Sequence, residues 1–183
     1  KVKVVSYITK YLDEKTGLET DVQSLNLNAM TTITSTDTSV NVTAVTQIAS
    51  ELLGIDEGVS LSDLSEDEIL STNKQVVLSL TSSDFDPAKE SVTILSNGDN
   101  NQEDTNAVRY GLALSAISAD SNITNANDSV TNTDKINTTI KNIVNLIKTN
   151  NMVDLNTTMV NGLTASNTSL TDTNRSIVPL SAS

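Results

Sequence analysis

"TSVNVTAVTQIASELLG", residues 38–54, decides the fold. Val45, Ile48, Ala49, Leu52 and Leu53 fall at offsets of 3, 4, 7 and 8, which puts them on one face of an α-helix. Asn41 and Thr43 stand where an N-cap side chain would accept from the first free backbone N–H groups. Gly54 stands at the C′ position, where the chain leaves a helix in the left-handed region. No His, Cys or Trp and no cofactor loop lies nearby. The spacing therefore predicts a helix made for packing, and the flanking sequence tells what it packs against.

Upstream, "KVKVVSYITKYL" alternates Val5, Tyr7, Thr9 and Tyr11 against Val4, Ser6 and Ile8. "SLNLNAM" alternates Leu25, Leu27 and Ala29 against Ser24, Asn26 and Asn28. Between them lies "DEKTG", whose Gly17 can take positive φ. Two period-2 runs around a polar, Gly-containing stretch predict a β-hairpin. An isolated hairpin is marginal in water, so it must pair further, lie on the helices or lend its edge to a neighbour. Val5, Tyr7 and Tyr11 are the expected interface residues on that edge, which would accept or donate a strand.

Downstream, Ser65 with Glu68 forms a capping-box pattern ahead of Ile69, Val76, Val77 and Leu80, with Asn73 among these apolar residues. Residues 81–104 are irregular, with a short strand expected at "SVTIL". "TNAVRYGLALSAISA", 105–119, is apolar nearly all round and predicts a central helix. Its small residues, Gly111, Ala113, Ser115 and Ala116, let neighbouring backbones come close. After an Asn/Ser/Thr-rich loop, Ile136, Ile140, Ile143, Val144 and Ile147 mark an amphipathic helix with Asp134 and Lys148 placed to suit its dipole. A weaker helix follows around Leu155, Met159, Val160 and Leu163.

The fold class expected is mainly α with an N-terminal β-hairpin (α+β), a four- or five-helix bundle beside a small antiparallel strand element. The expected units are a hairpin over 1–33, a helical domain over 34–165 and a Ser/Thr-rich tail or linker over 166–183. The chain opens at Lys1 on a strand-like run and reads as an excerpt from a longer polypeptide.

Composition narrows the chemistry. The chain has 183 residues, no Cys and no His, so disulfides, ordinary zinc sites, Cys nucleophiles and His-based triads are excluded. The net charge of −12 with no basic patch speaks against nucleic acid. No apolar run approaches the roughly 18 residues of a membrane span. Only Tyr7, Tyr11, Tyr110 and Phe85 are aromatic, too few for a typical sugar-binding cleft.

Acidic clusters offer the remaining candidates. "DFD" (Asp84, Asp86) and "NGDNNQED" put oxygen ligands at alternate positions, and Asp99, Asn101, Glu103 and Asp104 are the candidate calcium ligands. EF-hand spacing is not met, because Gly98 precedes the acids and no Glu closes the loop, so weak calcium binding or none is expected. Asp84 with Asp86, or Glu66 with Glu68, would be a glycosidase pair only by sequence proximity. Ser71 and Lys74 fit S-x-x-K spacing but lack the companion motifs in usable places. N-x-[ST] triplets, such as those at Asn41, Asn122, Asn137 and Asn156, arise by chance in a chain this rich in those residues. No catalytic residue and no cofactor is expected.

Taken in order, four landmarks resemble a domain type of large bacterial surface adhesins and biofilm-associated exoproteins, often flanked by Ig-like modules. They are Leu27-Asn28-Ala29-Met30, the run from Asn41 to Ala49, Asn73-Lys74-Gln75-Val76, and the run from Tyr110 to Ser118. The family pattern often has Pro after "NVT", where this chain has Ala44; Pro there would only preset φ. The resemblance implies an extracellular or cell-surface structural domain, partnered by neighbouring domains or copies of itself, with no nucleic acid and no membrane insertion. It implies no catalytic residue. The other expectation is a ligand-binding module that recognises a protein or glycan through the 81–104 loop or the hairpin edge.

Overall fold

The computed structural model describes residues 1–13, 18–94, 103–123 and 129–166. Among them, a β-hairpin precedes five α-helices. Strands β1 (Val2–Asp13) and β2 (Leu18–Thr31) pair antiparallel. The helices are α1 (Ala44–Leu52), α2 (Glu66–Thr81), α3 (Asn106–Ser121), α4 (Asn132–Lys148) and α5 (Met152–Ser166), with two short 3₁₀ turns between α1 and α2. The expected architecture is present.

Local signals account for the helix ends. Thr43 Oγ1 accepts from Thr46 N–H and starts α1, while Gly54 sits at φ 81° just beyond its end. Ser65 and Glu68 cap each other's backbone N–H groups at the start of α2. Thr105 Oγ1 accepts from Val108 N–H at the start of α3, and Thr131 Oγ1 from Asp134 N–H at the start of α4. Each such cap is worth about 1 kcal/mol.

The apolar faces meet in one main core. It joins Leu25 and Leu27 of β2 to Val45 and Ile48 of α1, Val76 and Leu80 of α2, Leu112 and Ile117 of α3, Ile140 and Ile143 of α4, and Leu155 and Met159 of α5. A smaller cluster of Met30, Leu53, Leu64 and Ile69 ties the end of β2 to the start of α2. Each fully buried Leu or Ile stabilises by about 1.5–3 kcal/mol relative to exposure. Helix α3 is buried on nearly every side. A Cβ on Gly162 of α5 would stand 2.3 Å from the Ala116 carbonyl oxygen of α3, so glycine sets that approach.

Three sequence expectations change. Strict alternation put Val5, Tyr7 and Tyr11 on one face. The register instead shifts between Ile8 and Lys10, and this irregularity reverses the phase of β1. Tyr7 is 78% exposed, whereas Tyr11 is turned inward at 5%. "SVTIL" makes no strand over its described residues 91–94; Thr93 N–H donates to Ala107 O at the start of α3, at 3.0 Å. A Cβ on Gly111 would lie 1.8 Å from Thr93 O, which explains the glycine there. Val160, expected on the apolar face of α5, is exposed. Residues 167–183 of the expected tail lie outside the described residues.

Candidate functional site

Asn41, Thr43, Asn73 and Tyr110 of the landmarks are occupied in holding the fold. Asn41 Nδ2 donates to Pro87 O at 3.2 Å and also to Glu90 O, and Asn41 N–H donates to Ala88 O. The Tyr110 hydroxyl bonds Thr43 Oγ1 at 2.7 Å and donates to Pro87 O at 2.9 Å. Asp86 accepts from Asn73 Nδ2 at 2.9 Å, Ala88 N–H at 3.0 Å and Thr31 Oγ1 at 3.2 Å. These groups anchor the connection between α2 and α3 to the body of the fold.

Asp99 and Asn101 lie outside the described residues, and Glu103 is exposed. Both oxygens of Asp104 are taken by Arg109, at 2.6 and 2.7 Å, and Arg109 also donates to Thr81 O. This pairing holds the Asp104 carboxyl below its ordinary pKa. Asp84 pairs with Lys74 at 3.0 Å, and Ser71 Oγ donates to Glu68 O. Glu68 serves its cap. No group of three or more His, Cys, Asp or Glu among the described residues is arranged to hold a metal ion.

The hairpin carries the feature that is left over. In an antiparallel ladder, alternate residue pairs turn their N–H and C=O groups away from the partner strand. Asn28 N–H leaves the ladder to reach Gln47 Oε1 at 2.6 Å, so the Val5–Asn28 pair is of this outward kind. By alternation, so are Lys3–Met30 and Tyr7–Asn26. On β2 two of those outward groups are capped from the helices. Gln47 of α1 takes Asn28 N–H, and Asn73 of α2 donates to Met30 O at 3.0 Å. Nearer the hairpin tip, Asn132 of α4 donates to Asp21 O at 2.9 Å. On β1 the outward groups of Lys3, Val5 and Tyr7 meet no hydrogen-bonding partner among the described residues. Helical side chains thus reach the β2 edge, and among the described residues none reaches the backbone of Lys3, Val5 or Tyr7 on β1.

Beside the sheet lies a polar groove of about 360 Å³. Val5, Tyr7, Asn26 and Asn28 form its sheet side, Gln47 and Glu51 of α1 and Asn137 and Lys141 of α4 its helical side. Burial raises the Glu51 carboxyl above its ordinary pKa, with the Gln47 amide pulling it down and Asp56 adding to the rise. No helix among the described residues is long and apolar enough to cross a membrane.

Set against known protein families, curated proteins and solved structures, the chain matches none.

Sequence reasoning named Val5 and Tyr7, which the structure leaves exposed on β1, but missed Gln47, Asn73 and Asn132 as the residues that reach the β2 edge. The available signal was an amide standing within an apolar pattern. Gln47 lies between Val45 and Ile48, and Asn73 between Ile69 and Val76.

Proposed function

We propose that this chain is a non-catalytic structural domain of an extracellular bacterial adhesin, matrix or filament protein, joined to its neighbours by strand pairing at β1. The observation that carries the reading is the inequality of the two hairpin edges. Asn28 N–H and Met30 C=O are capped by helical amides, and the outward groups of Lys3, Val5 and Tyr7 are left for another strand. The employment of Asn41, Asn73, Asp86 and Tyr110 as internal clamps also supports a shape-holding role. Lys3 and Lys10 are exposed on β1 and supply primary amines for the test. Amine cross-linking on intact source cells, read by mass spectrometry, should join Lys3 or Lys10 to other polypeptides at the cell surface. Links confined to within single copies of the chain, or recovery of the protein from the cytosol alone, would contradict the reading.

The polar groove favours a second reading, a module that binds a neutral glycan or an extended peptide. The side chains of Asn26 and Asn137 make no hydrogen bond among the described residues, and Tyr7 offers an exposed ring beside them. Ligand-observed NMR with oligosaccharides and peptides, compared between the native chain and Asn137→Ala, decides it. Equal or absent binding in both removes this alternative.

A further inference from the structure

We infer that the strand received by the open edge is β1 of a second copy, paired antiparallel about a two-fold axis at Val5; this rests on the strand-pairing reading above. Three features point to that partner and register. First, the irregularity after Ile8 and the end of β2 at Thr31, opposite Val2, limit the regular hairpin edge to Val2–Ile8, whose midpoint is Val5. Pairing about Val5 uses the whole of this segment, and shifting the axis by one residue either way shortens the match within it. Second, the outward backbone groups belong to Lys3, Val5 and Tyr7. An axis at Val5 sets these groups against their equivalents, so that Val5 faces Val5 of the second copy and Lys3 faces its Tyr7. Third, the side chains then match. Each Lys3 ammonium lies beside the exposed Tyr7 ring of the other copy, a cation–π arrangement. The half-exposed Val5 side chains cover each other, and Val2 meets Ile8 on the opposite face.

Lys3 also selects the register. An axis at Lys3 would set the two Lys3 residues directly opposite, and so would parallel in-register pairing; like charges so placed destabilise a sheet. With the axis at Val5 the two Lys3 residues are four positions apart along the strands. That is roughly 13 Å at strand rise, beyond the Debye length at physiological salt. The two copies form an isologous pair with one continuous sheet, β2–β1–β1–β2.

The chain has no Cys, so single introduced thiols report the register. Val4 and Ser6 lie in the pairs whose backbone groups turn toward β2. Across the new contact Val4 faces Ser6 of the second copy in a non-hydrogen-bonded pair, where a Cα separation of about 4.5 Å suits a disulfide. Light scattering of the native chain on a concentration series should pass from 19.4 kDa to twice that mass. Under mild oxidation, mixed Val4→Cys and Ser6→Cys chains should cross-link several-fold faster than either variant alone. Val5→Pro, with an unchanged far-ultraviolet spectrum and melting transition, should remain monomeric. Faster self-linking of Val4→Cys or of Ser6→Cys moves the axis and overturns the register. A native chain that stays at one-chain mass throughout overturns self-pairing, while cell-surface links from Lys3 to other polypeptides would still uphold the wider strand-pairing reading.

Discussion

At the scale of single residues, the buried amides and carboxylates decide which backbone groups are spent. Asn73 satisfies the Met30 carbonyl and Asp86 together, from a position that is 1% exposed. Asn73→Leu is expected to cost about 1–3 kcal/mol in urea denaturation, the penalty for leaving such groups unpaired. Glu51 tests electrostatics. Its raised pKa means that the fold favours the neutral acid relative to the unfolded chain. Ionised Glu51 therefore subtracts stability at pH 7, and that loss is recovered as the pH falls through the raised value. Glu51→Gln keeps an acceptor for the Gln47 amide and should stabilise at neutral pH by no more than about 1 kcal/mol. The gain should vanish in melts near about pH 4, where the native Glu51 is itself largely neutral. Glu68 runs the other way. Its carboxyl is held low by the Ser65 backbone N–H and then by the Ser65 hydroxyl. Its contribution is present above its unfolded pKa and is lost in acid, so Glu68→Gln should destabilise at pH 7 and be silent at low pH.

At the scale of elements, two glycines fix how closely α3 is approached. Gly111 leaves room for the Thr93 carbonyl, and Gly162 for that of Ala116. In both cases the obstacle is backbone, which cannot rotate aside. Gly162→Ala and Gly111→Ala are each expected to destabilise by about 1–3 kcal/mol or more in chemical denaturation. Unchanged midpoints would mean that α3 is not held this closely. The helices were readable in the sequence because their signals are local. Ser65 with Glu68 and the isoleucine spacing of α4 need no partner to be recognised. The phase of β1 was not readable past Ile8. A shift in register depends on how two strands fit across a gap, and nothing in "YITKYL" declares it. For that reason Tyr11, expected beside Tyr7, faces the core instead.

At the scale of the molecule, what matters is which hairpin edge the bundle covers. The sequence showed that a hairpin exists but not which edge stays open. Sealing depends on contacts between residues far apart in the chain, such as Asn73 with Met30, 43 positions away, and Asn132 with Asp21, 111 away. Charge follows the same division. Residues 1–12 carry Lys1, Lys3 and Lys10 and no acid, in a chain of net charge −12. Within the regular edge, Val2–Ile8, Lys3 is the one charged residue. The backbone polarity of this edge gives a mutational test of orientation. Val5→Pro removes an N–H that the fold does not use, and an edge strand tolerates Pro at such a position. Val4→Pro removes a ladder bond to β2 and should cost more than Val5→Pro by at least about 1 kcal/mol.

Residue-resolved amide exchange by NMR, in dilute and in associated samples, tests the open edge most directly. The account predicts that in dilute solution the amides of Lys3, Val5 and Tyr7 exchange fast while those of Val4, Ser6 and Ile8 are protected, and that association protects the first set too. Uniform protection along β1 in the monomer, or fast exchange of Lys3, Val5 and Tyr7 in the associated state, would contradict it.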